Sequence, residues 1–378
     1  MKAQKGVNKN TFNWLLFLSF FTLCLMSPVF GWMDERGEDD KSGIKEKNQL
    51  IVLPFVYYTP ETKIAGGLGG IYYLRSLKDQ SKGHPSTFFM DIVYTQNKQF
   101  IIGITPGLYL NKGKFHLIGD LRFKKYTENF YGIGPQTLDE MEEDFRYRSF
   151  ALKCSLRKRL RPSLYVGIQY DFEHSKITKI EEGGILDTDD VLGVEGGIIS
   201  GIGIILVQDS RNNLFYPTKG TLLQIDAMLF SLAIASDFQF QRFTFDFRQY
   251  ITVFTKHVLA LQQSANITSG DVPFQRLPVL GGPWVMRGYI QGRFRDKSAI
   301  FFQMEYRVPL IWRLSAAGFV GCGDVADKLN GFKLNDFKIS GGLGIRYLIN
   351  RKSGTNVRLD FGFARGNFGV YAMINEAF

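Results

Sequence analysis

Apolar and polar residues alternate one by one along much of this 378-residue chain. Over 164–173, Leu164, Val166, Ile168, Tyr170 and Phe172 occupy even positions, while Gly167, Gln169, Asp171 and Glu173 occupy odd ones. Ile300, Phe302, Met304, Tyr306 and Val308 interleave with Gln303, Glu305 and Arg307. Val357, Leu359, Phe361 and Phe363 interleave with Arg358, Asp360 and Gly362. Successive side chains of a strand point to opposite faces, so a period of two predicts strands with one oily and one wet side. Such segments recur from Leu50 onward, divided by clusters of Gly, Pro, Asn, Asp and Lys. They predict about sixteen strands, near 50–59, 62–76, 85–96, 98–111, 114–126, 145–159, 162–175, 196–209, 219–231, 238–253, 257–268, 297–309, 314–323, 337–349, 355–364 and 367–378. One stretch breaks the pattern: Phe238 and Phe240 have the opposite parity from Phe243, Phe245 and Phe247. Either a bulge near Gln241-Arg242 or a different strand boundary would account for it.

A soluble sandwich turns its oily sides inward, and a membrane barrel turns them toward lipid. Alternation alone does not choose between them; the first thirty residues do. Lys2, Lys5 and Lys9 precede an apolar core from Trp14 to Met26, followed by the small or short residues Val29 and Gly31. This is the layout of a cleavable signal peptide over 1–31. The core is short for a spanning helix, which needs about 20 apolar residues, so the rival reading is a short anchor. No later run reaches that length; even 196–207 is rich in Gly and ends in Gln208 and Asp209. An exported membrane protein without a later helix must close its strands into a barrel, because hydrocarbon satisfies no open backbone edge.

The expected organisation is a signal peptide (1–31), a short charged periplasmic lead-in (32–49) and an all-β transmembrane antiparallel barrel (50–378). An even strand number places both ends in the periplasm. The long connections 127–144, 176–195, 269–296 and 324–336 are then extracellular, and the short turns 216–219 and 255–256 periplasmic. Composition fits: 45% hydrophobic and 15% aromatic residues give a mean hydropathy of only −0.08. The formal charge of +10 is spread through turns such as 157–161, 351–352 and 78–82. It suggests contact with anionic outer-membrane lipids such as LPS, not a nucleic-acid footprint.

Three segments go beyond generic barrel pattern. The stretch 279–289, Val-Leu-Gly-Gly-Pro-Trp-Val-Met-Arg-Gly-Tyr, leads into Gln291-Gly292-Arg293-Phe294-Arg295-Asp296. The stretch 208–220 reads Gln-Asp-Ser-Arg-Asn-Asn-Leu-Phe-Tyr-Pro-Thr-Lys-Gly, and 369–378 ends in Phe378. Together they resemble the Omp85 superfamily of BamA- and TamA-like bacterial surface-antigen barrels. They match its Arg-Gly-aromatic motif in the sixth extracellular loop, its Asp-x-Arg-x-Asn…Tyr-Pro-x-x-Gly turn and its terminal aromatic. The resemblance implies that loop 6 folds into the lumen and that Arg287, in the motif Arg287, Gly288 and Tyr289, reaches an acidic group on the wall. A buried guanidinium needs such a partner. Glu305 and Asp360, at lumen-facing parity, and Asp324, at the end of a late strand, are the candidates, with Asp324 or Glu305 preferred. Asp209, Arg211, Asn213, Tyr216, Pro217 and Gly220 form the turn motif, and Phe378 stands where the family carries its assembly signal. Glu376 shares the parity of the oily stripe Phe368, Val370, Ala372 and Ile374 and interrupts it.

The resemblance also implies periplasmic POTRA domains in members that assemble or translocate proteins, and 32–49 is too short to hold one. A stand-alone barrel without POTRA domains is therefore expected. No cofactor or metal is expected: His84, His116, His174 and His257 are isolated, and no Cys lies at ligand spacing. Cys154 and Cys322 read as free thiols. The acidic stretches 139–144 and 187–190 read as solvated loops, and the glycines of 66–70 as strand curvature without a phosphate-binding helix. A non-enzymatic role in outer-membrane biogenesis or protein or lipid translocation follows from the resemblance. Its implied partners are the barrel-assembly machinery and a separate periplasmic protein. A passive pore for small solutes is the alternative.

Overall fold

The computed structural model describes residues 49–74, 86–188, 190–350 and 354–378. The expected signal peptide, nearly all of the lead-in, His84 and Asp189 lie outside them. In chain order the strands are β1 (Gln49–Thr59), β2 (Lys63–Leu74), β3 (Ser86–Thr95), β4 (Phe100–Leu110), β5 (Phe115–Phe130) and β6 (Glu143–Arg161). Next come β7 (Leu164–Lys179), β8 (Gly196–Asp209), β9 (Gly220–Phe230), β10 (Phe240–Val253) and β11 (His257–Gly270). A two-residue ribbon, β12 (Val279–Leu280) with β13 (Phe294–Arg295), interrupts the series. β14 (Ser298–Pro309), β15 (Leu314–Ala326), β16 (Lys338–Asn350), β17 (Thr355–Ala364) and β18 (Asn367–Ile374) complete it.

Every strand except β12 and β13 joins one closed antiparallel meander, β11 lying beside β14 and β18 meeting β1. Among the described residues sixteen strands thus close the barrel, each overlapping a segment expected from the sequence. The sidedness is that of a membrane barrel. Leu343 and Ile204 on the outer face are 67% and 64% exposed, whereas Arg358 and Asp360 are wholly buried inside. A soluble fold would reverse that distribution.

Two expectations are refined. The ladder runs unbroken from Phe240 opposite Phe230 through Arg242 opposite Met228, so no bulge interrupts β10 at Gln241-Arg242. Phe238 precedes the strand, and both Phe238 and Phe240 turn inward because the lumen is oily at that height. Phe130, Phe145, Ile199, Phe230 and Phe274 pack there with them. The last strand ends at Ile374 and does not run to 378. Asn375 takes a left-handed conformation, φ 64°, and residues 376–378 leave the wall for the interior. Asn tolerates that region better than most residues. Glu376 therefore never faces lipid, which removes the conflict with the oily stripe.

The expected turn motif is built from local hydrogen bonds. The Asp209 carboxylate accepts from Arg211 Nε at 2.9 Å and Nη2 at 2.8 Å. Asn213 Oδ1 accepts from the backbone N–H of Phe215 (2.8 Å) and Tyr216 (2.9 Å), closing the turn in the way Asn side chains do. Gly220 has φ 100°, and a Cβ there would stand 2.2 Å from the Ser210 carbonyl oxygen.

Candidate functional site

The connection from β11 to β14 folds back into the barrel. Its tip carries Arg287 and Gly288, and the chain lies directly on the backbone of β17. A Cβ on Gly288 would meet the Phe363 carbonyl carbon at 2.7 Å, and one on Gly362 would meet Gly288 N at 2.6 Å. Two glycines thus permit a main-chain contact that any side chain would prop open. Tyr371 of β18 fastens the same spot: its hydroxyl accepts from Gly288 N–H at 3.1 Å and donates to the Tyr289 carbonyl at 3.2 Å.

From this tip Arg287 enters a fully buried ion network. Its Nη2 donates to Glu305 Oε2 at 2.6 Å and its Nη1 to Asp360 Oδ2 at 2.5 Å. The guanidinium carbon sits 3.6 Å from the centre of the Phe319 ring. Arg346 bridges the same two acids, at 3.1 Å to Glu305 and 2.5 Å to Asp360. Arg307 Nε reaches Glu305 Oε1 at 2.8 Å, and Arg358 bonds Asp360. Glu376 adds a third carboxylate, accepting from Arg346 Nε at 3.2 Å and Asn356 Nδ2 at 2.6 Å.

Four guanidiniums face three carboxylates, and backbone oxygens take up part of the surplus. Pro283 accepts from Arg358 at 2.9 Å, Phe378 from Arg307 at 2.9 Å and Pro217 from Arg307 at 3.4 Å. Charges removed this far from water are tolerable only when paired and hydrogen-bonded. Arg307 also lies 5.7 Å from the Tyr216 ring centre. The loop motif, the turn motif and the segment around Phe378 therefore converge on one cluster inside the barrel.

Of the three candidate partners, Glu305 and Asp360 touch Arg287. Asp324 is buried elsewhere, bonded to Lys338 and accepting from Val325 N–H at 2.8 Å. Arg307, Arg346, Arg358, Glu376 and Tyr371 were not among the candidates. Parity marks most of them: Arg307 and Arg358 stand at wet positions of strands whose alternation is plain, and Tyr371 is an aromatic at a wet position of β18.

A second set of contacts holds the loop at the extracellular mouth. Arg276 donates to both oxygens of Asp171, at 3.1 and 3.2 Å, and reaches Glu173 at 2.8 Å. Burial alone would lower the Arg276 pKa, but Asp171 and then Glu173 outweigh it and raise it. Arg293 bonds Asp139 at 2.7 Å and the Thr137 carbonyl at 2.8 Å. Arg295 reaches Glu128 at 3.2 Å, and here burial prevails and lowers its pKa, Glu128 opposing. The β5–β6 loop clamps the ribbon through Gly134 N–H to the Arg295 carbonyl at 2.8 Å. Around these polar ties Phe274 packs edge-on to Phe130 (5.4 Å) and Phe145 (5.1 Å).

The remaining candidates are scattered. His116 stacks on Tyr109 with ring centres 4.1 Å apart, and His257 Nδ1 lies 2.7 Å from the Tyr306 hydroxyl. Among the described residues no three His, Cys, Asp or Glu stand together in a way that would hold a metal ion.

The Omp85 superfamily domain matches residues 94–367. BamA from Haemophilus ducreyi lacking POTRA domains 1–3 is similar to this barrel with a TM-score of 0.61 at 14% identity, over 88% of this chain and 71% of that one. CdiB from Acinetobacter baumannii is similar with a TM-score of 0.56 at 12% identity, over 87% of this chain and 59% of that one. At such identities the likeness is one of fold. No curated protein matches the sequence.

Proposed function

The chain belongs to the Omp85 superfamily and is a β-barrel of the bacterial outer membrane, and from that premise we propose that it acts in outer-membrane biogenesis or passes protein or lipid substrates, without covalent chemistry. The observation that carries this reading is the seam. Among the described residues β1 and β18 share a single ladder pairing, Tyr58 opposite Ala372. The neighbouring β17 and β18 stay in register from Val357–Ile374 to Ala364–Asn367. Unpaired strand edges offer N–H and C=O groups to another strand, and in hydrocarbon their lack of partners is costly. A short seam is therefore the place where the wall can part, thin the bilayer or accept a client strand.

The rival reading, a passive pore, calls for an open lumen. Against it stand Arg287, Glu305, Arg307 and Asp360, all buried where water and solutes would pass. The proposal includes insertion of this barrel by the assembly machinery, contact with LPS, and a separately encoded periplasmic protein working beneath it.

The test locks the seam. Tyr58→Cys and Ala372→Cys, with the other cysteines replaced by serine, place two thiols at paired positions, where Cα separations suit a disulfide. Vesicles carrying the reduced protein should speed insertion of a urea-unfolded outer-membrane barrel over empty vesicles. Oxidation should abolish that gain and reductant restore it. Equal rates for loaded and empty vesicles would contradict the proposal.

A further inference from the structure

The segment that follows β18 belongs to the ion network as much as the loop does. After the left-handed turn at Asn375, Glu376, Ala377 and Phe378 are all buried. Glu376 lies between Arg346 of β16, Asn356 of β17 and Arg307 of β14, the last at 3.6 Å. Phe378 and Ala377 pack with Tyr250 of β10 and Ala260 of β11. β17, β16, β15 and β14 separate β18 from β11 around the barrel. The segment thus reaches from β18 to side chains on strands five and six places round the wall. A cavity of about 280 Å³ beside it, bounded by Arg211, Pro217, Arg248 and Trp284, leaves room for it to shift.

We infer that residues 375–378 form a strap that holds the seam strand closed from inside and couples it to the loop plug through Glu376. The inference rests on the seam reading above. β18 has one paired position with β1 but two interior ties, Tyr371 to the loop backbone and Glu376 to Arg346 and Arg307. Arg346 in turn grips Glu305 and Asp360, the two acids that hold Arg287. Outward movement of β18 must withdraw Glu376 from its arginines and leave four buried guanidiniums with two carboxylates. Such a deficit favours release of Arg287 as well, because buried cations without counter-charge are strongly disfavoured. Release of the strap and loosening of the plug are one event.

The test uses the full barrel refolded in lipid vesicles, with spin labels on cysteines placed at Val56 of β1 and Ile374 of β18 and the other cysteines replaced by serine. Glu376→Gln keeps the shape and removes the charge; it should shift the distance distribution across the seam to longer values and broaden it. Arg287→Ala should do the same, and Glu376→Asp should return the distribution toward that of the parent protein. A parent distribution already broad and unaltered by Glu376→Gln would overturn the strap and leave the seam reading intact. A narrow distribution in every variant would overturn both. Because labels are read only on folded barrel, a variant that folds poorly does not mimic either outcome.

Discussion

Gly362 has no side chain, and the tip of the lumen loop occupies the space where one would stand. Its missing Cβ would meet the Arg287 carbonyl carbon and Gly288 N, both at 2.6 Å. Both obstacles are backbone, so nothing flexible can yield. Gly362→Ala should therefore lift the loop tip, strain the Arg287 contacts and destabilise the barrel by about 1–3 kcal/mol, the usual cost of overpacking. Urea titration of folded and unfolded bands in lipid vesicles measures it. An unchanged midpoint would mean that the tip does not rest on β17. At this scale the sequence offers residue types and parity but no distances. Glu305 and Asp360 stand at wet positions of strongly alternating strands, which is why they could be named as partners of Arg287. Asp324 could be named from its place at the end of a late strand, yet Lys338 of the adjacent strand takes it. Which acid meets which arginine depends on the shear of the whole barrel, and no local pattern encodes that.

Strands were the most legible elements, because lipid on one side and a wet interior on the other impose a strict period of two. The legibility fails where those surroundings change. β5 reaches Phe130 and β7 reaches Lys179, beyond the predicted 126 and 175. There the ladder continues while the oily stripe has ended. At Phe238 and Phe240 the interior itself turns oily, and parity inverts without any change in register. At Asn375 one left-handed residue ends the strand and turns Glu376 inward, a choice that alternation does not record. The outward face also carries a prediction. Leu343, near the middle of β16, is 67% exposed. On a soluble protein Leu343→Arg would be nearly neutral. Facing lipid near the midplane, it should cost about 2–4 kcal/mol, read from the folding equilibrium into vesicles. A neutral result would place that face in water.

At the scale of the molecule, the wall, the plug and the seam are held by the same charges. Loop residues Arg276, Arg293 and Arg295 fix the plug at the extracellular mouth, and Arg287 fixes it at mid-lumen. Glu376 brings the seam strand into that cluster. The wall was evident in the chain from its period and the family from three short segments. Their convergence on one network was not, because 208–220, 279–296 and 369–378 are far apart in sequence and meet only when the barrel closes. A plugged barrel with a releasable seam, as proposed, differs from an open pore in what it conducts. Single-channel conductance of the refolded protein in a planar bilayer, native against Arg287→Ala, tests that claim most directly. The native barrel should pass small, flickering currents, and Arg287→Ala should make them larger and unstable. Large, steady currents indifferent to the substitution would contradict the account and leave a passive pore in its place.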